Sequence, residues 1–284
     1  MVYGLLAYLL WGLFPAFFPL LLPAGPVEIL AHRVLWTAVI MAAALTALRG
    51  WGELRRASGR TWLQLIAAGV LISTNWGIYV LAVNSNHVAD AALGYFINPL
   101  LSVLLAVLFL RERLNRFQLT AVAVAAAGVI QLTFLSGQAP VMAIGMALSF
   151  GFYGLVKKQV KVSAAASLTA ETLVVAPLAL GFLLWLEFTG RGTFFTEGPG
   201  HAALLVVAGL ITTLPLLLFG KAAKQLPLST IGMIQYLTPT MQMLWALFVT
   251  QEYLSPARWA GFIIIWIAVA IYLFDLTRRA SRRV

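Results

Sequence analysis

The chain holds 284 residues, 62% of them hydrophobic and only 10% charged. A soluble domain carries about 25% charged residues, so a chain this apolar lacks the polar surface to face water and reads as membrane-embedded. The formal charge of +10 raises nucleic acid as a partner, and the absence of cysteine excludes disulfides and thiolate metal sites.

Crossing about 30 Å of hydrocarbon at 1.5 Å per residue takes about 20 apolar residues. In chain order, candidate runs lie at about 2–22, 26–48, 62–83, 88–110, 117–134, 140–156, 167–187, 201–219, 228–250 and 257–275. They predict an all-α integral membrane protein with ten transmembrane helices. The connections are short and hold helix breakers, as in "LPAGP", "NSNH", "LSGQAP" and "EGPG". The first run is long enough to span and has no basic n-region, so it reads as a span and not a signal peptide.

Sixteen of the nineteen Lys and Arg residues, Lys157 and Lys158 among them, fall after runs two, four, six and eight or in the C-terminal tail. The opposite connections hold only Arg191 and Arg258, and Arg33 lies inside run two. The positive-inside rule then places both termini in the cytoplasm of a multi-pass cytoplasmic (inner) membrane protein. The positive charge is therefore a topology signal and not a nucleic-acid site, and the basic tail suits anionic lipid.

Sliding the chain on itself by 140 residues lays "INPLLSVLLAVLFLRERL" (97–114) under "LTPTMQMLWALFVTQEYL" (237–254). Pro99 meets Pro239 and Glu112 meets Glu252; near this shift Glu28 also falls opposite Glu171. The unit is five runs, an odd number, so the second copy is expected to be inverted in the bilayer. The predicted halves are 1–138 and 139–284, and inverted repeats commonly hold a substrate near the midplane between them.

Each matching run carries a proline inside a polar stripe. Tyr95, Asn98 and Ser102 share one helix face, and Gln235, Thr238 and Gln242 repeat the spacing, with Tyr236 beside them. A proline removes one backbone hydrogen bond, so Pro99 frees the Tyr95 carbonyl and Pro239 that of Gln235. In lipid a freed carbonyl must be buried in protein or line a wet cavity. The stripes are therefore expected to line a substrate site, with the prolines as kinks. The competing reading is that these polar groups join helices by hydrogen bonds worth about 0.6 kcal/mol each.

The segments "YLLWGLFP" (8–15), "EILAHRVLW" (28–36), "LGYFINPLL" (93–101), "SFGFYGLVKK" (149–158) and "IGMIQYLTPT" (231–240) resemble the RarD-type branch of the EamA transporters, within the drug/metabolite transporter superfamily. The resemblance spans nearly the whole chain in order. It implies two inverted five-helix halves around a central cavity and outward movement of small metabolites, often amino acids or related compounds. It supplies no catalytic residue to carry over.

Trp11, Tyr79, Phe152 and Tyr153 lie well inside their runs and are expected to line the cavity for a flat or apolar solute. Asn75 shares the Tyr79 face, and Trp76 reads as packing. Trp51, Trp62, Trp259 and Tyr272 lie near span ends and read as interface anchors. His87 and Asp90 are placed at the outer mouth. Glu28 and His32, spaced i, i+4, form a candidate proton-coupling pair; the alternative is that Glu28 and Glu171 each lie in the first turns of a helix and favour its dipole, with Glu28 neutralised by Arg33. Gly12, Gly94, Gly128, Gly154, Gly232 and Gly261 read as close-packing positions. No P-loop or GxGxxG is present and three histidines lack ligand spacing, so neither cofactor nor metal is expected.

The expected protein is a secondary transporter of small organic metabolites with no catalytic residues. Its partners would be a small-molecule substrate and the lipid bilayer, with the chain acting as a monomer. Broad drug efflux is the nearest alternative. An intramembrane enzyme would need convergent chemistry that Ser102 and His32 do not supply by spacing, and a sensor would need an output domain.

Overall fold

The computed structural model describes the chain apart from residues 85–87, 137–140, 252, 254 and 282–284, and apart from the side chains of several flanking helical residues such as Asp90. The readings of His87, Glu252, Arg282, Arg283 and the Asp90 side chain lie outside the described residues. Every regular element described is helical. The first run forms α1 (Val2–Gly12), α2 (Phe14–Phe17) and a 3₁₀ turn (Phe18–Leu21). There follow α3 (Pro26–Ala47), α4 (Trp51–Arg55), α5 (Gly59–Asn84), α6 (Val88–Leu110) and α7 (Arg116–Ser136). The remainder forms α8 (Val141–Gln159), α9 (Ala164–Phe188), α10 (Gly198–Gln225), α11 (Leu228–Ile234), α12 (Leu237–Phe248) and α13 (Pro256–Ser281).

Among the described residues, nine helical segments are long and apolar enough to cross a membrane, and the run at 228–250, broken into α11 and α12, is not among them. Large apolar side chains such as Leu119, Phe134 and Leu178 stand exposed on their outer faces, which only a hydrocarbon surround satisfies. Spans read from apolar runs alone came out short for α9 and α10, because amphiphilic residues at the helix ends still hydrogen-bond helically. Glu171 thereby lies two turns inside α9 and not in its first turn, which removes the dipole explanation for it.

The two prolines do not act alike. Pro99 sits inside a continuous α6, whereas Pro239 falls in the first turn of α12. A proline is tolerated in a first turn because its missing donor has no partner there in any case. The Gln235 carbonyl that Pro239 cannot serve instead accepts from the Thr238 amide at 3.1 Å, closing a 3₁₀-type turn between α11 and α12. The break in the first run, at Leu13, had its own signal in Pro15 and Pro19.

The packing order is specific. α3 lies against α9 and α10; α5 against α8 and α9; α1 against α10 and α12; α6 against α8 and α11; α7 and α13 pair to one side and lean on α6 and α11. One core, around Tyr8, Tyr153, Phe219 and Ile231, joins α1, α8, α10 and α11. A second joins α6, α7 and α13 and takes in Tyr236 and Tyr272. Tyr272 is fully buried, with its hydroxyl 3.3 Å from that of Thr230, so it is no interface anchor.

Each of the six glycines read as packing positions faces atoms of another helix. At Gly232 the fit is tightest against backbone: a β-carbon there would lie 2.8 Å from the Pro99 carbonyl oxygen of α6. Gly232→Ala is therefore expected to force α6 and α11 apart and to destabilise the fold by about 1–3 kcal/mol. Thermal unfolding of the purified variant in detergent checks this, and a melting temperature equal to that of the parent would show that the contact gives way freely.

Candidate functional site

A cavity of about 530 Å³ opens between α1–α2, α3, α5, α6, α8 and the α11–α12 break, within the 300–1,000 Å³ range usual for small-molecule sites. Its lining comes from the late part of the first run and of α5 and from the early parts of α3, α6 and α8. The cavity therefore sits in the half of the bundle remote from the cation-rich connections.

Tyr95, Asn98, Gln235, Thr238, Gln242, Trp11, Asn75 and Tyr79 all line it. Their polar groups are not equally available. The Asn75 amide donates to the Met146 carbonyl at 2.8 Å and to Ser149 Oγ at 3.2 Å, tying α5 to α8. Thr238 Oγ1 donates to the Tyr8 carbonyl at 2.9 Å, tying α12 to α1. By contrast the Asn98 Oδ1, Gln235 Oε1 and Tyr8 hydroxyl atoms are buried and meet no partner among the described residues. A buried polar group without a partner costs about 1–3 kcal/mol, so three beside one cavity make it the candidate place for polar ligand atoms. Trp11 packs edge-on to Phe150 at 5.9 Å, and Tyr79 lies 6.4 Å from Tyr95, so the walls between these polar points are aromatic.

Several expected residues lie elsewhere. Ser102 is buried at the Gly232 crossing, and the Tyr236 hydroxyl donates to the Phe96 carbonyl at 3.3 Å. Tyr153 stacks on Phe219 at 5.7 Å and donates to Glu171 Oε2 at 3.1 Å, while Phe152 packs on Phe109 at 6.1 Å. None of these four lines the cavity. Helix periodicity names a face but not which neighbour covers it.

Glu28 and His32 also stand outside the lining. Glu28 Oε1 accepts from the Thr193 amide at 2.7 Å and its hydroxyl at 3.0 Å, and that hydroxyl lies 2.8 Å from His201 Nε2. His32 Nδ1 accepts from Trp36 at 3.2 Å, and its ring stacks on Phe194 at 5.0 Å. Glu28 thus holds the α9–α10 connection and is not neutralised by Arg33.

Arg33 instead lines the cavity, as do Tyr8, Phe14, Phe18 and Trp76. Trp76 reads as packing along the sequence, and Tyr8, Phe14 and Phe18 flank Trp11 in the first run without a polar or spacing signal that sets them apart. Arg33 carried a plain signal, a cation inside an apolar run, where a charge costs about 2.5–3.5 kcal/mol on insertion scales.

The opposite half of the bundle is closed. All seven residues of α11 are buried. Lys157 Nζ meets Glu171 Oε1 at 2.7 Å and Ser167 Oγ at 2.8 Å, and Ser167 Oγ also donates to Glu171. Lys157, counted above among the topology-setting cations, is in fact 1% exposed. Nearby, Glu112 accepts from the Leu228 amide at 2.7 Å, the Ser229 amide at 3.1 Å and the Ser229 hydroxyl at 2.6 Å, capping the start of α11 from the end of α6.

Membrane-length helices around a small-molecule cavity closed at one end define a polytopic membrane transporter. The chain belongs to the EamA-like transporter family, whose model matches residues 1–134 and again 138–274. It is 46% identical to Protein RarD of Streptomyces exfoliatus, covering 99% of this chain and 90% of that protein. It is 44% identical to the uncharacterized transporter YojE of Bacillus subtilis (strain 168), covering 99% and 96%. A solved structure titled only as a crystal structure of a protein shares the fold at a TM-score of 0.74 and 19% identity, with 95% of each chain covered.

The Lys157–Glu171 pair yields a stability prediction. Lys157→Met leaves a buried carboxylate unpaired and is expected to destabilise by about 3–5 kcal/mol, whereas Lys157→Met with Glu171→Leu recovers most of the loss. Unfolding midpoints of the two purified variants check this; equal destabilisation in both would locate the effect in packing and not in charge.

Proposed function

We propose that the protein is a secondary transporter that moves small organic metabolites, amino acids or related compounds, outward by alternating access between two inverted five-helix halves, 1–138 and 139–284. The observation that carries the reading is the pair of unpartnered buried amide oxygens at one cavity, Asn98 Oδ1 from the first half and Gln235 Oε1 from the second. Relatives named RarD and transporter support the class.

Two features support the repeat. The same family model matches twice. The helix contacts also come in pairs that exchange under a swap of halves: α3 with α10 matches α9 with α5, and α1 with α10 matches α8 with α5. Likewise α1 with α12 matches α8 with α6, while α3 with α9, α6 with α11 and α7 with α13 map onto themselves.

With both termini cytoplasmic, the cavity faces outward and the closed half lies toward the cytoplasm. Opening that half requires release of the α11 start from Glu112 and separation of α8 from α9 around Lys157 and Glu171. Pro99 and Pro239, beside the crossing and the break, are the positions about which α6 and α12 would rock. Glu28 and His32 enter as proton-exchange candidates one step behind the cavity wall.

A thermal-shift screen of metabolites and amino acids, followed by flux of the hits into liposomes holding only this chain, tests the reading. Asn98→Ala and Gln235→Ala are each expected to lower flux about tenfold, the worth of one ligand hydrogen bond to a buried group, with folded yield nearly intact. Equal loss of yield and flux would instead assign both residues to joining helices. Under a pH gradient, Glu28→Gln is expected to abolish the pH response of flux, and an unchanged response removes Glu28 from coupling. The aromatic walls at Trp11 and Phe150 favour a second reading, efflux of larger apolar drugs, which predicts hits among such drugs and none among polar metabolites.

A further inference from the structure

Arg33 lies roughly 10 Å along α3 from its start and is only 8% exposed. A cation at such a depth needs an explanation, because it has left water and the usual remedy is a carboxylate. None pairs with it among the described residues: Glu28, about one turn earlier on the same helix, is held by Thr193, and the ion pair present is Lys157–Glu171. Its one hydrogen bond among the described residues runs from Nε to Thr212 Oγ1 of α10 at 2.9 Å.

What surrounds the guanidinium is aromatic. Its central carbon lies 4.9 Å from the ring centroid of Trp76, 5.2 Å from Phe18 and 5.5 Å from Phe14. Ring faces attract the cation through their negative quadrupole and so hold it charged and oriented. They contact it without accepting conventional in-plane hydrogen bonds. With Nε used by Thr212, the two terminal amines keep their donors for something else, and no described protein acceptor meets them. A planar pair of parallel N–H groups matches a carboxylate or a phosphate bound through two oxygens, and a lone cation among aromatic walls balances the single charge of a carboxylate better than the greater charge of a phosphate.

Arg33 and all three rings line the same cavity as Asn98 and Gln235. We propose that the cavity selects organic acids: Arg33 is the carboxylate anchor, the Phe14–Phe18–Trp76 cage presents it, and Trp11 and Phe150 accommodate the apolar body of the solute. The inference rests on the cavity being the transport site and adds the charge of what enters it. It also differs from a purely structural role for Arg33, in which its bond to Thr212 simply fastens α3 to α10. A structural role would weaken acids and neutral analogues alike, whereas an anchor discriminates between them.

The full-length protein in lipid nanodiscs is titrated with phenylacetate and butyrate, each beside its neutral amide of nearly equal size, phenylacetamide and butyramide. Quenching of tryptophan fluorescence is the readout, since Trp11 and Trp76 line the cavity. Each acid is expected to bind at least tenfold tighter than its amide. Arg33→Gln is expected to bring the acid down to the affinity of the amide while leaving the amide unchanged, and Arg33→Lys to keep part of the preference. Should Arg33→Gln fail to fold, Phe18→Leu removes one wall of the cage and is expected to cut the acid-to-amide ratio several-fold. Equal binding of acid and amide, with both weakened by Asn98→Ala, would overturn the charge assignment and leave the cavity reading standing. Absence of saturable quenching by every probe would overturn both.

Discussion

Hydrocarbon offers no hydrogen bonds, and that one constraint orders this structure. Each polar group inside the bundle has to find its partner in protein or border a space that a polar guest can enter. Most hydroxyls comply locally: Thr212, Thr213 and Thr172 each return a hydrogen bond to the carbonyl one turn back. Others join helices, as Asn75 joins α5 to α8. Three of the groups that do neither, on Tyr8, Asn98 and Gln235, gather at the cavity, while the fourth among the described residues, His32 Nε2, lies outside its lining.

Charge shows the same division more sharply. In the closed half, acids are matched within the protein, Glu171 by Lys157 and Glu112 by the amides at the start of α11. In the open half, Arg33 has rings around it and no acid paired with it among the described residues. The closed half is therefore held by contacts that are strong while dry and that weaken once water reaches them, because both the ion pair and the cap lose their low-dielectric setting. Under the proposed alternating access, contacts of this kind would serve as a seal that can also open.

Backbone irregularity is distributed by the same logic. The three breaks, at Leu13, between Phe17 and the following 3₁₀ turn, and at Gln235–Tyr236, all fall at segments that border the cavity or lie against Tyr8 and Thr238. At the last break the chain recovers most of its hydrogen bonds by tightening, Gln235 to Gly232 and Thr238 to Gln235. Such a turn lets the polar stripe of α12 point inward without leaving open carbonyls in lipid. α6 carries its proline without a comparable break, so the two matched sequence signals produce unequal backbones in the captured arrangement.

Apolar run length, the spacing of breakers and the placement of Lys and Arg were sufficient to predict an all-helical membrane bundle, because each depends only on residues near in sequence and on the thickness of hydrocarbon. Matched prolines with polar stripes likewise pointed to the cavity-lining positions Tyr95, Asn98, Gln235, Thr238 and Gln242, since helical spacing puts them on one face. Which polar residue is used up by a neighbour was decided only by the tertiary structure. Tyr153 and Ser102 looked equivalent to Tyr95 and Asn98 along the chain, yet Glu171 and Gly232 cover them, and Arg33 owes its environment to Phe14, Phe18, Trp76 and Thr212 from three other parts of the sequence. Periodicity specifies the direction of a side chain from its own helix axis, while the partner it meets depends on crossings between helices that no local pattern encodes.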